Sequence, residues 1–97
     1  MRVISRGALK EFWEKHPDAT DDLRAWFAEA RDAAWSTPAD VKARYGTASI
    51  LKGGRVVFNI RGNRYRLVVK INYEFGMVFV RFVGTHTEYD GIDVETV

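Results

Sequence analysis

Cysteine is absent from this 97-residue sequence, which removes disulfides, thiolate metal sites and cysteine nucleophiles and suits a reducing compartment. Long apolar runs are missing too. No stretch approaches the roughly 18 residues of a membrane span, and the opening MRVISRGALKEFW lacks the apolar segment of a secretory leader. The expected location is therefore the cytoplasm, with no membrane partner. No repeat, low-complexity tract or linker divides the chain, and residues 1–97 read as one domain. Carboxylates at metal-ligand spacing are lacking as well, and nothing in the sequence implies a metal or a cofactor.

Acid is scarce in one region only. Between Lys52 and His86 there are seven Lys or Arg (Lys52, Arg55, Arg61, Arg64, Arg66, Lys70, Arg81) and one acid, Glu74. Residues 1–50 carry eight of each sign, and Glu88–Val97 has four acids and no base, so the formal net charge of +2 conceals a segregation along the chain. Segregation of that kind points to a surface that meets a polyanion more clearly than the total does.

What is present is globular in composition, 46% hydrophobic and 13% aromatic. Arg2–Ser5 reads as a short strand, with Ser5 placed to cap a helix. In that helix Ala8, Leu9, Phe12 and Trp13 recur at helical spacing until His16-Pro17 ends it. His16 reads as a capping or exposed residue, because no second ligand stands at a useful spacing. Asp18 is the expected N-cap of a second helix, with Asp21 and Asp22 near its positive end and Leu23, Trp26, Phe27, Ala30 and Ala34 as its apolar stripe. Thr37-Pro38-Ala39-Asp40 reads as cap, first-turn proline and capping-box acid of a short third helix ending near Tyr45-Gly46. Thr47–Gly54 is a loop with room for a short strand at Ser49–Leu51.

The run from Arg55 to Val83 alternates as strands do. Val56, Phe58, Ile60, then Tyr65, Leu67, Val69, Ile71, Tyr73, then Val78, Val80, Phe82 form an apolar face. Arg55, Val57, Asn59, then Arg64, Arg66, Val68, Lys70, Asn72, then Arg81 form the other. Gly62-Asn63 as a tight turn sets Ile60 against Tyr65, Asn59 against Arg66 and Arg55 against Lys70, so like meets like. A turn centred on Phe75-Gly76 sets Arg81 against Lys70 and lays Arg55, Lys70 and Arg81 in one row. The expected architecture is α+β, in the order β-α-α(-α)-β-β-β, with an antiparallel sheet and the helices packed on one face. Like charges set directly opposite one another are unfavourable, whereas a surface that grips phosphates uses them. The plain alternative is a solvated face with its cations spread apart.

After the last strand comes Gly84-Thr85-His86-Thr87-Glu88-Tyr89-Asp90. His86 is the residue type that exchanges protons near neutrality, and Tyr89 would share one side of a helical turn with it. Beside fixed cations the pair would make an acid-base site for a phosphodiester.

Val57-Phe58-Asn59-Ile60, Gly62-Asn63, Tyr65-Arg66-Leu67, Ile71-Asn72-Tyr73 and Thr85-His86-Thr87-Glu88-Tyr89-Asp90 together resemble the HigB-type toxins of bacterial type II toxin–antitoxin modules, within the RelE-like mRNA interferases. The resemblance covers nearly the whole chain and is most specific in N-x-x-G-N-x-x-R and T-H-x-E-Y-D. It implies a small RelE-like α+β endoribonuclease that cleaves mRNA, generally on the ribosome, and so inhibits translation. It also implies silencing by a HigA-type helix-turn-helix antitoxin, with DNA met only through that complex. The positions that match the family's working residues are Arg66, Lys70, Arg81, His86 and Tyr89.

Metal-free cleavage needs a base for the 2′-hydroxyl, an acid for the leaving 5′-oxygen and cations for the phosphorane. Arg66 and Arg81 would hold the phosphate and His86 or Tyr89 would move protons. Lys70, desolvated between two cations, is a further candidate base. Arg55, Asn59, Arg64, Arg66, Lys70 and Arg81 would track the RNA. The runner-up is a non-catalytic RNA- or ribosome-binding module using the same face. Against it, only Phe79 falls among the cations as a stacking aromatic. A DNA-binding module is weaker, because no helix presents a basic recognition surface.

Overall fold

The computed structural model describes all 97 residues, Met1–Val97. Its elements are β1 (Arg2–Ile4), α1 (Arg6–Lys15), α2 (Thr20–Asp32), α3 (Pro38–Arg44), β2 (Ser49–Ile50), β3 (Arg55–Ile60), β4 (Tyr65–Asn72), β5 (Met77–Thr85) and α4 (His86–Asp90), with 3-10 turns at Pro17–Ala19 and Lys52–Gly54. The sheet order is β1-β5-β4-β3-β2. The sheet is mixed rather than wholly antiparallel, since β1 lies parallel to β5 with Arg2 beside Met77. Parallel neighbours need a long crossover, and the helices between β1 and the later strands supply it.

The expected apolar face is the core. Val56, Phe58, Ile60, Tyr65, Leu67, Val69, Ile71, Val78 and Val80 pack with Leu9 and Phe12 of α1, Leu23, Trp26 and Ala30 of α2, Val41 of α3 and Trp35. No helix is long and apolar enough to cross a membrane. Thr37 and Asp40 form the expected capping box at the start of α3. Three local expectations fail. Ser5 stands before α1 but makes no side-chain cap and has φ 72°. Asp18 lies in the 3-10 turn before α2 and directs its carboxylate to the β3–β4 turn. Ala34 falls beyond the end of α2 and is exposed, and the neighbouring Trp35 takes the core position.

The β3–β4 register is the expected one, Ile60 with Tyr65, Asn59 with Arg66 and Arg55 with Lys70. Its loop has Arg61 and Gly62 in the left-handed region, at φ 54° and 64°. The β4–β5 pairing differs. The side-chain oxygen of Asn72 accepts from the Phe75 amide at 3.0 Å, the turn begins earlier, and Lys70 meets Phe79 instead of Arg81. A shift of two leaves every side chain on its own face, so the core survives it. A bulge then interrupts the ladder, with Val69 opposite Val80 and Val68 opposite Phe82, so that Arg81 has no partner. One inserted residue inverts the alternation. Phe82 therefore joins the outer face against expectation, and Val83 packs against the core.

Candidate active site

The outer face of β3–β5 carries Arg55, Asn59, Arg66 and Lys70 where alternation sets them, with Arg81 entering from the bulge. Arg55, Lys70, Arg81 and Phe79 line the largest cavity, about 700 Å³, together with Leu51 and Tyr73. Lys70 is exposed and lies between Arg55 and Phe79, so the desolvated place between two cations expected for it is not there. None of Arg66, Lys70 and Arg81 has a carboxylate partner, and Arg55 is engaged by the Val97 main-chain oxygen; the side-chain ion pairs of the molecule are Arg31–Asp32, Arg44–Glu29, Arg64–Asp18 and His86–Asp90.

Arg64 does not belong to this face. It lies in the β3–β4 turn and meets Asp18 Oδ2 at 2.5 Å, while the Tyr65 hydroxyl donates to Asp18 Oδ1 at 2.5 Å. The bond from Tyr65, helped by Arg64, holds the Asp18 carboxyl below the usual carboxylate range, and the same bond holds the Tyr65 hydroxyl above its ordinary value. The cluster ties the start of α2 to the hairpin. Asn59 stands across from Arg66, its Nδ2 at 3.5 Å from the Thr47 carbonyl.

At the other end of the face the guanidinium of Arg66 donates from Nη2 to Asn63 Oδ1 at 2.5 Å and from Nη1 to the carbonyls of Asn63 and Tyr65 at 3.1 and 3.3 Å. The Tyr89 ring lies 5.9 Å from its Cζ. Tyr89 is placed by α4, whose five residues are held by local chemistry. Thr85 Oγ1 accepts from the Glu88 amide at 3.1 Å, and Glu88 Oε1 accepts from the Thr85 amide at 2.8 Å. The latter bond holds the Glu88 carboxyl below its usual range. One turn on, His86 Nδ1 sits 3.2 Å from Asp90 Oδ2. Every distinctive residue of T-H-x-E-Y-D is thus accounted for physically, since Thr85 and Glu88 cap the helix, His86 and Asp90 pair, and Tyr89 flanks Arg66. The pairing is made through Nδ1, and no hydrogen bond engages Nε2 of His86.

Residues 19–92 match the family model of the HigB toxin, described as the RelE-like toxic component of a toxin–antitoxin system. The chain belongs to this family. Among similar curated proteins, the mRNA interferase toxin HigB of Escherichia coli K12 and the mRNA interferase HigB of Shigella flexneri are each 32% identical, over 93% of this chain and 88% of theirs. A further mRNA interferase HigB, from Escherichia coli O6:H1, is 25% identical over 93% of this chain and 89% of its own.

One occupant of this face is not announced by the alternation of the strands. Val57 and Val68 lie on the side away from the helices yet are 4% and 0% exposed. The chain after α4 is anchored at both ends of this face. It leaves α4 beside Arg66 and ends with the Val97 main-chain oxygen accepting from Arg55 Nε and Nη2 at 3.3 and 3.0 Å. Ile92, Val94 and Val97 are half-buried among exposed Asp93 and Glu95. That apolar spacing inside an acidic end was the available signal. No group of three His, Asp or Glu is arranged to hold a metal.

Proposed function

We propose that this HigB-family protein is an mRNA endonuclease that cuts on the ribosome without a metal, by attack of a 2′-hydroxyl on the adjacent phosphate, and so stops translation. The observation that carries this reading is the set of three outer-face cations, Arg66, Lys70 and Arg81, with no carboxylate partner, bordered by a helix bearing His86 and Tyr89. Arg66 and Arg81 hold the phosphate as charge grows on it. His86, its ring fixed by Asp90, moves a proton through Nε2, and Tyr89 is the other candidate. Arg55, Asn59 and Lys70 extend the track for the strand. Arg64, bound to Asp18, contributes to the fold instead. The partners are mRNA on the ribosome and a HigA-type helix-turn-helix antitoxin, with DNA met only through the antitoxin complex.

The test is single-turnover cleavage of ribosome-bound mRNA by His86→Gln and Tyr89→Phe, with binding measured in parallel. Loss of a proton-transfer group lowers the rate by roughly 10²- to 10⁴-fold and leaves binding nearly intact. Full activity in the double substitution would remove both from the chemistry. A second reading, a non-catalytic RNA- or ribosome-binding module, gains from one observation: the bulge sets Phe82 opposite Val68, so that Phe79 is not the only aromatic at an outer-face position of β5. Such a module would bind and leave the mRNA uncut in the same assay.

A further inference from the structure

Asparagine at position 63 has no backbone reason to be there. Positive φ in the β3–β4 turn falls on Arg61 and Gly62, and Asn63 is not in the left-handed region. Its side chain acts elsewhere. Oδ1 accepts from Arg66 Nη2 at 2.5 Å, and the Asn63 carbonyl accepts from Arg66 Nη1 at 3.1 Å. Two terminal nitrogens reaching one residue means that Asn63 occupies the outer edge of the guanidinium. Nη1 also donates to the Tyr65 carbonyl at 3.3 Å. What remains is the Nε–H and the second Nη2–H, a parallel pair of donors with no protein partner. That pair matches two oxygens of one phosphate in the fork geometry that makes arginine selective for such groups. The Tyr89 ring, 5.9 Å from Cζ, flanks the guanidinium.

We infer that Asn63 is a positioning residue for RNA cleavage: it holds the outer edge of Arg66 so that the inner edge faces the phosphate. This rests on reading Arg66 as a phosphate-holding group. A free arginine must give up rotamer freedom when it grips its anion, and the loss is smaller when the planar group is already oriented. Asn63 supplies that orientation without charge, so the pull of Arg66 on the phosphate is undiminished.

The experiment is a double-mutant cycle on the full chain, read as the single-turnover rate on ribosome-bound mRNA at saturating protein, with the half-saturation concentration and the thermal midpoint recorded alongside. Asn63→Ala lowers the rate at saturation by roughly 10- to 100-fold, as expected for one hydrogen bond to a charged group. The thermal midpoint is nearly unchanged, because the backbone at 63 suits alanine. Arg66→Ala loses at least as much, and Asn63→Ala adds nothing in that background. Asn63→Asp keeps an acceptor in place and retains more rate at saturation than Asn63→Ala, while its charge offsets that of Arg66 and raises the half-saturation concentration. A further loss from Asn63→Ala in the Arg66→Ala background would overturn the inference. So would full activity of Asn63→Ala beside an inactive Arg66→Ala, which leaves the phosphate-holding reading of Arg66 intact. An active Arg66→Ala would overturn both.

Discussion

The two faces of β4 divide its eight residues between them and obey different rules. Inward, Tyr65, Leu67, Val69 and Ile71 join a single apolar cluster with α1, α2 and α3. Outward, Arg66 and Lys70 flank Val68, which is as fully buried as Leu67 although no helix of the core lies over it. The inner face is specified by shape and area, and one residue out of place would be costly. The outer face is specified by charge at its two ends, and its buried middle lies between Tyr89 beside Arg66 and Val97 on Arg55. The contrast shows that burial on the outer face is compatible with leaving the cations on either side of it without carboxylate partners.

The largest effect should come from the inner face. Leu67→Ala is expected to cost about 2–5 kcal/mol of stability, measured by chemical denaturation, while molecules that remain folded keep their cleavage rate. Val68→Ala should cost less, since it lies outside the core cluster that holds Leu67. Equal costs would make the outer face a second core and break the comparison.

Its neighbour should behave in the opposite way. Arg66→Ala is expected to lose roughly 10²- to 10³-fold in cleavage rate, about 2.7–4 kcal/mol of transition-state stabilisation, and to change unfolding by no more than about 0.5 kcal/mol. A large fall in thermal midpoint with unchanged cleavage would mean that the roles of the faces are exchanged. A smaller effect sharpens the contrast within the outer face. Lys70→Ala should weaken RNA binding and make its dependence on log salt shallower by about 0.7 per lost phosphate contact on single-stranded RNA. An unchanged salt slope would remove that residue from the RNA track.

The smallest expected effect concerns Asp18, which serves the fold and not the cationic face. Its carboxyl is held lower in the folded protein than in the unfolded chain. Its contribution is therefore present above the ordinary carboxylate range and lost as pH falls through the lowered value. Thermal midpoints of the native protein and of Asp18→Asn should differ near neutrality and converge in acid. A difference that persists at low pH would assign the effect to packing.

The core face and the β3–β4 register were legible because period-two patterning and a glycine turn both bear on them, and agreement between two signals is informative. The faces of β4 and early β5 came out correctly even though the second hairpin is displaced by two residues, since an even shift leaves alternation intact. The bulge at Arg81 was not legible: it has no composition of its own, and Arg-Phe-Val reads equally well in either phase. Arg64 was placed by alternation, but its partner Asp18 lies 46 residues away and looked like a helix cap. Within the candidate site, His86, Tyr89 and Arg66 stood out by residue type, whereas Asn63 was concealed by a conventional turn explanation that the backbone does not need.

The unpaired Arg81 also behaves as a frameshift in a two-letter code. Upstream of it β5 is written in one phase, with Val78 and Val80 inward; downstream it is written in the other, with Val83 inward and Gly84 outward beside Arg66. Removing the residue would close the bulge and turn no later residue over, because Phe82 already stands opposite Val68 and Val83 opposite Leu67, so the helix that carries His86 and Tyr89 would still leave from the same surface of the sheet. Adding one more paired residue there would instead turn Val83, Thr85 and that helix to the opposite surface. Deletion at 81 thus tests the cation and the bend of the bulge, whereas insertion at 81 tests the geometry that every later residue inherits.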